Sequence, residues 1–320
     1  MEFSDVQRAM ERLDGRVKQT EVTIDHKLSE QLGTKVCLKW ESRQTTGAFK
    51  VRGALNTIMS LPEEQRAAGV VASSSGNHGL GVTYAAKQAN IPAIIYVPGY
   101  ASQKKIATMR ELGAEVRVIE GEYSEAEETA IRYAEKKGAV FISPYNNPNV
   151  IAGQGTIILE WLEQTPDLDT VLLPVGGGGL GSGIGLALKA LRPRSSLVGV
   201  QTEGSAFLHA NWHGHDIETV EVLPNLAEGL SGKIDLQSIT LSLTRRLFDN
   251  FLLVNDDEIA RAVAYCYNVH GEVVEGAAAV GLAALLGNKE EHLGRSVGVL
   301  ITGGNITQEQ HRNILERAGN

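Results

Sequence analysis

The chain has 320 residues, 42% hydrophobic and 21% charged, with a net charge of -8. That balance describes a globular protein with a sizeable core, in one large or two closely packed domains. The negative charge excludes the concentrated Lys and Arg on which nucleic-acid partners depend, and two cysteines in no C-x-x-C pair, Cys37 and Cys266, give neither a disulfide framework nor a zinc ribbon; both read as buried packing thiols.

The N-terminus is charged throughout and lacks the apolar core of a signal peptide. Its SDVQRAMERL segment carries Ser4 and Gln7 at capping-box spacing, with Val6, Met10 and Leu13 on one face, and predicts a docking helix. In TTGAFKVRGALNTIM the spacing predicts a helix capped by Thr45 or Thr46, with Lys50 just inside it. An ammonium there meets an unfavourable dipole and the apolar neighbours Ala48, Phe49 and Val51, which favour a neutral, nucleophilic amine able to form Schiff bases. The alternative is a solvated surface charge.

From residue 69 the runs GVVASS, PAIIYVPG, AEVRVIEG and AVFISPY read as strands, separated by the helical segments GLGVTYAAKQAN, SQKKIATMRELG and SEAEETAIRYAEKKG. The polar loop SSSGNHGLG follows the first strand, at the end where open α/β sheets bind ligands; a polar turn before a helix is the plainer reading. After NNPNVIAGQG comes a second series: helix IILEWLEQ, strand TVLLPV, a glycine run, helix GLALKAL and strand LVGVQ. NDDEIARAVAYCYNVHG reads as a helix with Ile259, Val263 and Cys266 on one face and Gly271 as its stop, and SVGVLIT as a last strand. The run Gly276 to Gly287 is too short for the roughly 20 residues that span a bilayer. The pattern predicts two doubly wound α/β domains with mostly parallel sheets, a smaller mobile one over 62–147 and a larger one from 1–61 and 148–320. A cytoplasmic protein with no membrane partner is expected.

Glycines between a strand and a helix, Gly176 to Gly179 in PVGGGGLGSG, make an anion cradle of backbone N–H groups and helix dipole. The Gly-Lys-Ser/Thr ending of a Walker loop is missing. Gly176, Gly178 and Gly181 satisfy G-x-G-x-x-G with Glu203 beyond the next strand, so a nicotinamide-dependent oxidoreductase is a rival, and a purely structural turn another.

Five motifs in register decide further: Thr46 to Ala54, Ser74 to Gly79, Val150 to Thr156, Gly176 to Gly179, and Thr302-Gly303-Gly304-Asn305. Over nearly its whole length the chain resembles the threonine dehydratase and serine racemase family, pyridoxal-phosphate enzymes of fold type II. The resemblance implies pyridoxal 5'-phosphate held covalently by Lys50, which also removes the α-proton. It further implies Asn77 at the phenolic oxygen, the backbone of Gly176, Gly177, Gly178, Gly179 and Leu180 at the phosphate, Thr302 at the pyridine nitrogen, and Phe49 and Glu275 lining the cofactor. Ser74, Ser75, Gly76, Asn77 and His78 would bind the substrate carboxylate. A neutral hydroxyl at the pyridine leaves a weaker electron sink than an aspartate, which suits β-elimination. Ser75 stands where the family's racemases place a second catalytic group, opposite the lysine; carboxylate binding alone is its other role.

Where metal-binding members carry oxygen ligands, this chain has Gln201, Thr202 and Phe207, so no metal is expected there. His209, His213 and His215 lack the zinc-protease glutamate and read as a solvated loop. Departures at Thr20-Glu21-Val22, Tyr145-Asn146-Asn147, Ala227 to Leu230 and Glu275 to Ala278 fall on the substrate side. The expected activity is an ammonia-lyase for a β-hydroxy-α-amino acid: threonine or serine, a hydroxyaspartate, an aryl-serine, or a compatible-solute breakdown intermediate. A racemase is the alternative, and a ligand-binding protein that kept only the fold is another. A homodimer is the family expectation, and the little chain after Asn305 predicts no C-terminal amino-acid-sensing domain.

Overall fold

The computed structural model describes residues 1–319 and contains two sheets flanked by helices. The first strands are β1 (Val22–Ile24) and β2 (Lys35–Trp40). Next come β3 (Val70–Ser73), β4 (Ala93–Pro98), β5 (Glu115–Ile119) and β6 (Val140–Phe141), which form a four-stranded sheet ordered β5-β4-β3-β6. The remaining strands, β7 (Thr170–Pro174), β8 (Ser196–Thr202), β9 (Asn250–Val254) and β10 (Ser296–Ile301), join β1 and β2 in the order β1-β2-β10-β7-β8-β9. Among the pairs these strands form, β1–β2 is antiparallel and the others are parallel.

Both sheets are covered on both faces, which is why their strands read as continuous apolar runs. One face of the larger sheet packs Leu172, Val198 and Val299 against Ile259, Val263 and Cys266 of the helix Asp256–His270 and against the all-apolar helix Gly276–Leu286. The other face packs Val171, Leu173 and Leu197 against Ile151, Ile158 and Trp161 of the helix Pro148–Gln164. Cys37 and Cys266 are free and buried. Among the described residues no helix is long and apolar enough to cross a membrane.

Three local expectations are corrected. The first helix, Phe3–Leu13, is capped reciprocally by Glu2 and Asp5, not by Ser4 and Gln7, and buries Ala9 beside Val6 and Leu13. The helix carrying Lys50 starts at Lys50 itself, after Phe49, with neither Thr45 nor Thr46 as its cap. The preceding residues are tied elsewhere: Gly47 turns at φ +73, Ala48 bridges Gly303, and the Phe49 N–H donates to Thr302 O at 3.1 Å. Finally, NNPNVIAGQG is not a connection. It forms the first turns of the helix Pro148–Gln164, with the Asn147 side chain accepting from the N–H groups of Asn149 and Val150.

Candidate active site

Four loops leave the carboxyl ends of β2, β3, β7 and β10, where open α/β sheets gather their ligands. Lys50 comes from the first. Its Nζ lies 3.1 Å from Pro144 O and 5.2 Å from the Phe49 ring centre. Burial lowers its pKa to about 8 against the opposing pull of Glu275, so an appreciable fraction of the amine is neutral near neutral pH.

The loop Pro174 to Gly178 leads into the helix Gly179–Leu191. Gly178 has φ +85, the left-handed region open to glycine. A Cβ on Gly177 would overlap the Tyr145 ring, and one on Gly179 would stand 2.8 Å from Tyr145 Cα. Tyr145 therefore lies directly on the glycine turn and joins it to Pro144 and Lys50. Among the described residues, the N–H groups of Gly176 through Gly181 find no acceptor. Consecutive unpaired donors at a helix N-terminus fit a phosphate monoester without any cationic side chain.

The β3 loop enters the helix Asn77–Ala89 through Ser74, Ser75 and Gly76. The N–H groups of Asn77, His78 and Gly79 are likewise without acceptors, and they fit a carboxylate. Ser74 Oγ is taken by its own loop, accepting from Gly76 N at 3.1 Å, whereas Ser75 is half-buried. The His78 side chain is 3% exposed, with its Nε2 2.8 Å from Ile142 O and its Nδ1 buried without a hydrogen-bond partner among the described residues. Burial, aided by the Lys50 charge, pushes its pKa down to about 3, so the ring is neutral.

Thr302, from the β10 loop, is 3% exposed, and its carbonyl holds Phe49 in place. Glu275 accepts from Asn77 Nδ2 at 2.7 Å. Burial pushes its pKa up to about 7, with the Asn77 hydrogen bond working against the rise. Gly303 lies between Glu275, Ala48 and Asn77, leaving room for nothing larger than hydrogen. Lys50, Phe49, Asn77, Glu275 and Thr302 thus share one site, bounded on another side by the glycine turn. Sequence reasoning gave no role to Asn305 or to Tyr145, which the fold brings into the same cluster.

Outside this cluster, Phe207 is part of the core, and Gln201 spends its amide on His209 N and Ser205 O. The His209 and His213 rings lie 4.4 Å apart and His213 and His215 6.2 Å apart, yet among the described residues no three His, Cys, Asp or Glu side chains are placed to hold a metal ion.

The profile described as "Pyridoxal-phosphate dependent enzyme" matches residues 13–303. The L-threonine ammonia-lyase of Thermotoga maritima is 45% identical over 316 residues, 98% of this chain and 78% of that protein. The L-threo-3-hydroxyaspartate ammonia-lyase of a Pseudomonas species is 36% identical over 98% of both chains. Among solved structures, maize serine racemase superposes with a TM-score of 0.89 at 32% identity, covering 100% of this chain and 99% of its own.

Proposed function

The chain belongs to the pyridoxal-phosphate-dependent enzymes, and from that premise we propose that it is an ammonia-lyase converting a β-hydroxy-α-amino acid to a 2-oxo acid and ammonia. The observation that carries this reading is Lys50: an amine lowered to about 8 by burial, set between an unpaired glycine cradle and the Asn77–Glu275 pair.

The residues present fit the cofactor. The N–H groups of Gly176 to Leu180 would hold its phosphate, Asn77 its phenolic oxygen, Thr302 its pyridine nitrogen and Lys50 its aldehyde carbon. When bound, it withdraws electrons from the substrate's α-carbon and so acidifies the α C–H. Lys50 Nζ would take that proton. The N–H groups of Asn77, His78 and Gly79 would orient the substrate carboxylate. The β-hydroxyl would leave as water, the proton lost from the α-carbon balancing it, and the resulting enamine would tautomerise and take up water to release ammonia and the 2-oxo acid. The half-buried setting of Lys50 limits competing protonation by solvent. A homodimer is the assembly we expect, closed two-fold symmetry being the commonest arrangement.

Visible absorbance of the purified protein tests the reading, followed by borohydride reduction, peptide mapping, and addition of L-serine, L-threonine and L-threo-3-hydroxyaspartate in turn. The expected result is a yellow protein with the label on Lys50, and release of 2-oxo acid from the amino acid that perturbs the band. A protein that stays colourless with added pyridoxal phosphate would overturn it.

Racemisation is the second reading, and Ser75 is the observation that favours it. The Ser75 hydroxyl has no hydrogen-bond partner among the described residues, although its neighbour Ser74 is engaged. Ser75→Ala is expected to leave 2-oxo acid formation from the L-substrate within a few-fold of wild type and to abolish any D-amino acid product. Chiral chromatography of the reaction mixture checks both, and D-product surviving in the variant would remove Ser75 from the proton path.

A further inference from the structure

We propose that Asn305 is a positioning residue that fixes the amide orientation of Asn77, and so determines that a donor rather than an acceptor faces the cofactor's phenolic oxygen; the inference rests on the cofactor reading above. Asn305 Nδ2 donates to two oxygens, Thr46 O at 2.8 Å and Asn77 Oδ1 at 2.7 Å. The first is a backbone carbonyl and can only accept. It therefore dictates which end of the Asn305 amide faces it, and the same nitrogen obliges Asn77 to present its oxygen. The Asn77 nitrogen must then face the other way, where it donates to Glu275 Oε1 at 2.7 Å.

An amide nitrogen carries two hydrogens, so Asn77 keeps a second donor for the phenolic oxygen. Orientation is thus passed from a fixed carbonyl in the lysine loop, through the β10 loop, to the loop after β3. Gly47 makes room for the relay: it turns at φ +73, and a Cβ there would overlap Asn305 Oδ1. The chain also ties Gly304 N to Gly47 O at 2.9 Å, holding the β10 loop against the lysine loop while Asn305 makes its contacts.

Asn305→Asp reverses the polarity. Its carboxylate would face two oxygens, and Asn77 must turn over to give it a donor, which brings the Asn77 carbonyl against Glu275 and the phenolic oxygen. In the holoenzyme, the pH midpoint of the cofactor's visible band is expected to rise by about one unit, the effect of losing one charge-assisted donor. Affinity for pyridoxal phosphate, titrated by fluorescence quenching, should fall about tenfold. Asn305→Ala, which removes the constraint without reversing it, should shift the midpoint in the same direction by less, and serves if the aspartate variant does not fold. In an Asn77→Ala background neither change at Asn305 should move the midpoint further. A purely structural role would lower thermal stability and leave the midpoint alone. Wild-type midpoints in a folded single variant, or the full shift persisting without Asn77, would overturn the proposal; a wild-type protein with no visible band would overturn the cofactor reading with it.

Discussion

Replacing Lys50 with alanine is expected to eliminate turnover and to leave no covalent cofactor after borohydride reduction. Loss of proton transfer alone costs between about 10² and 10⁴ in rate, and loss of the covalent attachment adds to it. The variant should still fold, because among the described residues the Lys50 amine meets one protein acceptor, Pro144 O, and deleting a side chain at the head of a helix leaves the rest of that helix in place. A stability measurement on cofactor-free protein gives an independent check. The Lys50 pKa lies below its ordinary 10.5, at about 8, so the folded chain binds fewer protons here than the unfolded chain between those values. The folded state therefore bears the burial of a charge below pH 8 and is relieved of it as pH rises. Lys50→Met should then be more stable than wild type at pH 7, with the difference closing between about pH 8 and 10.5 in urea titrations. Residual covalent labelling in the alanine variant would mean that another amine carries the cofactor. A pH-independent stability difference would mean that the Lys50 amine is already well solvated.

The parts of this fold that the sequence discloses are those whose determinants are local. The helix Asp256–His270 begins at Asn255 and ends at Gly271 with φ +68, and it buries Ile259, Val263 and Cys266, because capping groups and a periodic face act within a few residues of the backbone they organise. The strands β3, β4, β7, β8 and β10 are legible for the same reason, as apolar runs covered on both faces. The helix Pro148–Gln164 is legible only in its second half, IILEWLEQ, because its first half carries Gly153 and Gly155, residues that weaken an isolated helix. Their purpose lies in other helices: a Cβ on Gly153 would stand 2.7 Å from Arg52 O, and one on Gly155 2.6 Å from Gly183 O. Close helix crossings override local propensity, and a crossing partner cannot be read from the segment that needs it.

The site divides in the same way. Lys50, the glycine turn and the asparagine loop each announce anion or nucleophile chemistry through their own neighbours in sequence. Their assembly does not, because Asn305 meets Asn77 across 228 positions and Glu275 meets Asn77 across 198. The roles of Asn305 and Tyr145 exist only once the loops are brought together. For His78 the motif pointed to the substrate, and the first turn of the helix Asn77–Ala89 buries the ring with its Nε2 at Ile142 O.

The charged core beneath Lys50 was also beyond sequence reading, and Arg52→Leu is expected to cost about 3–5 kcal/mol of stability. Arg52 is fully buried and holds two carboxylates: Glu41 through Nε and Nη2, both at 2.8 Å, and Glu160 through Nη1 at 2.6 Å and Nη2 at 2.9 Å. Lys39, also fully buried, completes the set by donating to Glu160 at 3.1 Å, Gln164 at 2.9 Å and Thr20 O at 2.7 Å. Burial would raise the Glu41 pKa, but Arg52, with help from the Thr20 hydroxyl and Lys39, outweighs it and holds the carboxyl below its ordinary value. Removing Arg52 leaves two buried carboxylates against one ammonium, so Glu41 must either stay charged without its partner or take up a proton. The wild-type contribution of Glu41 is present above the ordinary carboxylate pKa and lost as pH falls through the lowered one. In the variant the shift is upward, so acidification from pH 8 towards 5 should narrow its deficit. Removing the partner as well, in Glu41→Leu with Arg52→Leu, leaves the balanced Lys39–Glu160 pair and should recover most of the loss, because a buried ion pair replaced by packed apolar groups is often near neutral. Urea unfolding of the two single variants and the double variant measures the coupling, and additive losses would show that the ions are not energetically linked. Arg52 lies two residues beyond Lys50 on the same helix, so the network also anchors the first turn of that helix to Glu41, in the turn that follows β2, and to the helix Pro148–Gln164. If it sets the pose of the amine, the double variant will regain stability without regaining the full kcat.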